Sequence, residues 1–211
     1  MLDRYNKFTI GWQLSKALAA LISADSKVDE YSEWTDEIRL GINLGFAIGK
    51  LCLAWHGRSV SPEEDIWETQ DEFEILSSSV PNWGGRFKLV DAGALYAGID
   101  PSVQRRRVLN KNTIHAYLRA AEAALRDFAG AVDAGGFDYC EAATLGSGFE
   151  PILHRLCLAW YLRYLDAAEI SSLDPAVIED LESWLPPSYW SPAFRLVSLE
   201  ESPGEGAGAG D

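Results

Sequence analysis

Cations, cysteines and long apolar runs are all scarce in this sequence, and each scarcity excludes something. Lys and Arg number 18 against 32 Asp and Glu among 211 residues, for a net charge of −14. Affinity for nucleic acid rests on cationic surface, so no direct nucleic-acid binding is expected. Three cysteines cannot build a disulfide framework, and free buried thiols suit a reducing cytosol, so a cytoplasmic setting is expected. The start, Met1-Leu2-Asp3-Arg4-Tyr5, lacks the charged-then-apolar layout of a signal peptide. The longest uncharged stretch of the apolar region, Leu40 to Gly49, is too short to span a bilayer and lies between Arg39 and Lys50. No membrane association is therefore expected. Catalytic signatures are missing too: there is no Gly-x-Ser-x-Gly, Cys-x-x-Cys, phosphate loop or His-Glu-x-x-His. No catalytic residue and no cofactor are expected.

What is present is an apolar fraction of 47%, with eight Trp, enough for a real core. The sequence also repeats itself. Leu51-Cys52-Leu53-Ala54-Trp55 recurs as Leu156-Cys157-Leu158-Ala159-Trp160. A chance pentapeptide match in a chain of this size has a probability on the order of one per cent. Further matches follow in the same order. Asn6-Lys7-Phe8-Thr9-Ile10 answers to Asn110-Lys111-Asn112-Thr113-Ile114 at an offset of 104. Leu40-Gly41 answers to Leu145-Gly146 at 105, and Trp83 to Val90 answers to Trp190 to Val197 at 107. The charge divides evenly, with −7 in residues 1–104 and −7 in residues 105–211. The reading is two tandem pseudo-symmetric units packed as one globular body, 1–97 and 98–200, followed by a Gly/Ala-rich disordered tail, 201–211.

Each unit reads as all-α, with about three helices and a short extended segment. Ile10, Leu14, Ala17 and Leu21 recur at the spacing of one helix face, as do Ile114, Leu118, Ala121 and Leu125. Thr9 or Asn6 is the expected cap of the first helix, and Asn112 or Thr113 that of its counterpart. The second helix should run from near Thr35, with Asp36 and Glu37 at its positive end, to His56, with Gly57 stopping it. Its counterpart should begin at Pro151, a favourable first-turn residue. A third helix should follow Ser61-Pro62-Glu63-Glu64, and its counterpart should start at Asp166 or Asp174-Pro175. Both units close on an extended Phe-(Lys/Arg)-Leu-Val, and the two segments could pair with each other.

Three features invite a functional reading. Cys52 with His56, and His154 with Cys157, lie three or four apart on helix faces and could meet around a zinc ion. The histidines are not equivalent between units, and the cysteines sit in apolar runs, so core packing is the favoured reading and no metal is expected. Gly41, Gly45 and Gly49 form a small-residue stripe that suits close helix approach better than a nucleotide loop. The most functional-looking stretch is acidic: Glu63, Glu64, Asp65, Glu68, Asp71, Glu72 and Glu74 crowd around Trp67, with no Lys or Arg between Arg58 and Arg86. It reads either as a solubilising face or as a surface for a basic partner, with Trp67 an anchor or a core residue. The Arg105-Arg106-Arg107 cluster between the units most simply pairs with the chain's own carboxylates.

These features lead to an expected non-enzymatic protein-interaction module presenting an acidic helical surface to a protein partner of basic character, as an inhibitor, immunity-type or adaptor protein does. The alternative is a ligand- or metal-binding helical protein, or an enzyme, with its site between the two units.

Overall fold

Long amphipathic helices dominate, as the three- and four-residue apolar spacing requires. The computed structural model describes residues 5–32, 36–60, 88–89, 108–135, 142–182 and 184–185. In chain order these form α1 (Lys7–Val28), α2 (Asp36–His56), β1 (Lys88–Leu89), α3 (Lys111–Ala134), α4 (Ala142–Tyr161), α5 (Ala167–Ser171), α6 (Pro175–Glu182) and β2 (Trp184–Leu185). The fold is all-α, and among the described residues the strand content is a two-residue parallel pairing of Lys88 with Trp184 and Leu89 with Leu185.

The helices pack as two hairpins, α1 on α2 and α3 on α4, with α1 also lying along α3. The predicted faces are the buried ones: Ile10, Leu14, Ala17 and Leu21 on α1, and Ile114, Leu118, Ala121 and Leu125 on α3, are all sealed from solvent. They join Leu44, Ile48 and Leu51 of α2 and Phe149, Ile152 and Leu156 of α4 in one core. Trp55 of α2 meets Phe149 of α4 edge to face at 6.3 Å, and Phe149 meets Phe128 of α3 at 5.0 Å. Aromatic edges thus bridge the hairpins.

Both hairpins are closed by the same ties. Asn6 caps α1, its Oδ1 accepting from the Phe8 and Thr9 amides, and its own N–H donates to the Arg58 carbonyl at 2.5 Å. Asn110 caps α3 through the Thr113 amide and donates its N–H to the Arg163 carbonyl at 2.7 Å. The Thr9 hydroxyl donates to the Val60 carbonyl at 2.5 Å, and the Thr113 hydroxyl to the Leu165 carbonyl at 2.6 Å. Each cap satisfies helix-end amides that would otherwise be orphaned, and each threonine staples its helix to the segment after the next one. The expected cap of α3 at Asn112 or Thr113 is therefore corrected to Asn110. Thr113 lies inside the helix, where its hydroxyl serves the long-range tie instead.

α2 spans the expected residues. Buried Asp36 accepts from the Ser32 amide at 2.5 Å and from Arg39 at 3.0 Å in the first turn, where the helix dipole also favours its charge. By length and composition α2 could cross a membrane, yet 61% of that apolar window is buried inside the fold. α4 departs from expectation. It begins at Ala142 and carries Pro151 in its interior. An interior proline forfeits a helical N–H and crowds the preceding turn, at a cost of about 3 kcal/mol. The buried row Leu145, Phe149, Ile152, Leu153 and Leu156 supplies packing on both sides of it, which offsets that cost.

Both candidate starts of the following helix are used. Asp166 opens α5 with a full capping box to Glu169, and Pro175 opens α6, with Asp174 accepting from the Ala176 amide at 2.9 Å. Gly135 ends α3 at a φ of 69°, a left-handed conformation that glycine adopts without strain. β1 falls in the predicted Phe-Lys-Leu-Val segment, and its partner is Trp184–Leu185. Phe194 to Val197, the expected partner, lies outside the described residues, as do the segment after Ser61 expected to form a third helix and the expected tail, 201–211.

Candidate functional site

The acidic residues Glu63, Glu64, Asp65, Glu68, Asp71, Glu72 and Glu74, with Trp67, lie outside the described residues, as do Arg105, Arg106 and Arg107. The Cys and His candidates lie within them. Cys52 is buried in the main core, and Cys157 is equally buried. Burial pushes the Cys52 thiol up to about 12, and it raises Cys157 further, with the Glu182 charge adding to the effect. A thiolate is the form that binds metal or attacks an electrophile, so both sulfurs are held in their inert form. His154 faces Glu182, with Nδ1 4.0 Å from the carboxylate. Among the described residues no group of three or more His, Cys, Asp or Glu is placed to hold a metal ion. Of the glycine stripe, Gly41 and Gly45 are buried and Gly49 is half-buried.

Two polar arrangements that sequence reading missed tie distant elements together. At the end of α4 the buried Arg163 guanidinium stacks on the Trp160 ring at 3.9 Å and the Tyr164 ring at 4.5 Å. It donates to the Trp160 carbonyl at 2.6 Å and reaches across to the Glu37 carboxylate of α2. Tyr164 is raised above its ordinary range, chiefly by burial and also by its hydrogen bond to the Glu37 carboxylate. Arg58 is the counterpart at the end of α2: it donates to the Trp55 carbonyl at 2.7 Å and lies over the Trp55 and Tyr5 rings at 4.4 and 5.1 Å. Among the described residues Arg58 has no carboxylate partner, and Ala142 occupies the sequence position matching Glu37. A signal existed, since the repeated pentapeptide extends to Trp-x-x-Arg in both copies.

The second arrangement joins α1 to α3. His115 directs Nδ1 at Asp25 (2.5 Å) and Nε2 at Asp29 (3.2 Å), while Arg119 donates to Asp25 at 3.2 Å. Lys111 closes the end of the cluster by donating to the Asp29 carbonyl at 2.6 Å. Ionised carboxylates only accept, so the ring serves both at once when both its nitrogens carry protons. No local pattern announces this cluster, because its members are about ninety residues apart.

Among the described residues the surface offers an apolar groove and a set of exposed apolar side chains. A groove of about 570 Å³ between α3 and α4 is lined by Ala120, Ala124 and Phe128, with Asp127 and Arg155 contributing charge. Gly148 also lines it, and a Cβ there would collide with the Phe128 ring. On the other hairpin Phe8, Trp12, Ile22, Ile38, Ile42 and Phe46 are exposed.

No family model, curated protein or solved structure matches this chain.

Proposed function

We propose that the protein is a non-enzymatic interaction module, built from two tandem copies of one helical unit, that presents the acidic segment Glu63–Glu74 to a basic protein partner. The observation that carries this reading is the segregation of charge. Seven Asp and Glu fall within the twelve residues from Glu63 to Glu74, with no Lys or Arg between Arg58 and Arg86, and this segment alone supplies half of the net charge of −14. The acid excess is therefore not spread evenly as a solubilising coat would be. It is concentrated between Arg58 and Arg86. A concentrated field of one sign accelerates encounter with a complementary partner and selects against others.

The matched ties through Asn6 and Asn110, Thr9 and Thr113, and Arg58 and Arg163 support the tandem origin. Each residue of a pair stands at the repeat offset and makes the same contact. In this reading the hairpins are the rigid scaffold and the acid-only segment is the contact surface. Co-purification from source cells tests it, comparing the native chain with one in which Glu63, Glu64, Asp65, Glu68, Asp71, Glu72 and Glu74 are replaced by their amides. A basic protein retained by the native chain and lost from the neutralised one is the expected result. Equal retention by both would overturn the reading.

A further inference from the structure

Two arginines stand at matched places in the sequence, three residues past the repeated pentapeptide: Trp55-x-x-Arg58 and Trp160-x-x-Arg163. The fold anchors both in the same way. Each backbone carbonyl accepts from the asparagine that caps the other helix of its hairpin, Asn6 for Arg58 and Asn110 for Arg163. Each guanidinium lies over the ring of its own tryptophan and spends Nη1 on that tryptophan's carbonyl, at 2.7 Å for Arg58 and 2.6 Å for Arg163. A second ring, Tyr5 for Arg58 and Tyr164 for Arg163, lies against it.

The two differ at the next nitrogen. Nη2 of Arg163 donates to the Glu37 carboxylate. Among the described residues Nη2 of Arg58 meets no acceptor, and its Nε is sealed from solvent without a hydrogen-bond partner. The register of α2 and α4 accounts for the difference. Glu37 at the start of α2 meets Arg163 beyond the end of α4, and Trp55 near the end of α2 meets Phe149 within α4, so these helices run antiparallel. The opposite ends are therefore the start of α4 and the end of α2, where Arg58 follows. The first residue of α4 is Ala142, which stands at the repeat offset of 105 from Glu37 and has no carboxylate to give.

A guanidinium set against two rings has lost hydration that an ionised partner restores, and a charge-assisted hydrogen bond is about twice as strong as a neutral one. Arg58 is also held before any ligand arrives, by its rings, its Nη1 bond and the Asn6 tie, so little side-chain freedom remains to be lost on binding. It is half-buried, which leaves it within reach from solvent. We propose that Arg58 is a carboxylate-binding site, its Nη2 taking a ligand carboxylate as Nη2 of Arg163 takes Glu37. A single cation suits a single carboxylate, whereas a phosphate dianion brings a second charge that this arginine alone does not balance. An acidic side chain of a partner and a free organic acid present the same two oxygens. The proposal goes beyond the acidic-segment reading and is independent of it, since it uses a cation of the folded hairpin and an anionic ligand.

The test is NMR of the full chain carrying isotope-labelled arginine and backbone amides, titrated at constant ionic strength with propionate, with N-acetyl-glutamate amide and with inorganic phosphate. The Arg58 side-chain signals should shift saturably with both carboxylates while those of Arg163 stay in place. Affinity, read in every variant from the Asn6 amide that bonds the residue-58 carbonyl, should fall about tenfold or more in R58Q. A142E, which places a carboxylate opposite Arg58, should weaken binding as much and raise the unfolding midpoint, whereas A142Q should bind as the native chain does. A142E keeps the arginine, so it carries the test if R58Q fails to fold. Tighter binding of the glutamate amide assigns the natural carboxylate to a protein side chain, and tighter binding of propionate assigns it to a free acid; either supports the proposal. No saturable shift at Arg58, an equal response to phosphate, or undiminished binding by the A142E chain would overturn it. Binding that emerges only when the seven acids of 63–74 are amides would overturn it in favour of the chain's own acids as occupant. Equal binding by the native and seven-amide chains is expected, which separates this outcome from that of the acidic segment.

Discussion

Arg163, buried at the end of α4, reaches the Glu37 carboxylate in the first turn of α2, so one ion pair joins the second hairpin to the first. Its guanidinium is also stacked on Trp160 and Tyr164 and bonded to the Trp160 carbonyl, leaving little freedom to relax. Removing one partner of a buried pair strands the other, at about 3 kcal/mol or more. Glu37 is about one-third exposed, which lowers the penalty on that side. R163M should therefore cost about 2–3 kcal/mol in urea unfolding, and E37Q less. R58M, at the counterpart without a carboxylate partner among the described residues, should cost about 1 kcal/mol. Equal losses for R163M and R58M would show that the ion pair contributes nothing.

Gly148 makes room for the Phe128 ring, and Phe128 in turn meets Phe149. G148A should destabilise by about 1–3 kcal/mol through overpacking. Shortening the ring in G148A/F128L should recover part of that loss. A G148A protein as stable as the native one, by thermal unfolding, would show that the helices separate without penalty.

Cys52 keeps its proton in the folded chain up to about 12, against an ordinary value of 9.0. Between these limits the unfolded chain has lost the proton and the native chain has not, so the unfolded state binds fewer protons. Stability should therefore fall as pH rises through this window, and be indifferent to this thiol below it. Buried Tyr31 and half-buried Tyr117 and Tyr164, all raised, act in the same direction at still higher pH. In a C140S background, disulfide-exchange reagents should label Cys52 and Cys157 only as fast as the protein opens. Rapid labelling of the native state would contradict their burial.

The His115 cluster couples α1 to α3. H115A should destabilise by about 1–3 kcal/mol, because it leaves the part-buried Asp25 short of a donor. In a double-mutant cycle with D25N the two losses should be less than additive, the mark of direct contact. Strict additivity would mean that the two side chains act independently.

The parts of the fold that follow from local physics could be read directly. Ile10, Leu14, Ala17 and Leu21 declare a helix face by spacing alone, and Asp166 with Glu169 declares a helix start by capping chemistry. Pro151 misled because its local preference for a first turn is overridden by packing on both sides, which no local pattern records. The cap of α3 lies two or three residues before the expected Asn112 or Thr113, because Thr113 has capping chemistry but spends its hydroxyl on Leu165. Arg163 with Glu37 and His115 with Asp25 were invisible for another reason: each pair is set by tertiary approach across about a hundred residues. The exposure of Trp12 and Phe46 was equally hidden, since apolar residues off the core face look the same in sequence as those on it.

The central claim is that the acid-only segment Glu63–Glu74 recruits a basic partner. The most direct measurement is the association rate of that partner, once captured, with the native chain and with the seven-amide variant over a range of salt concentrations. The native rate should fall steeply as salt screens the charges, and the variant's rate should be lower and nearly flat. Two rates that coincide at every salt concentration would contradict the account.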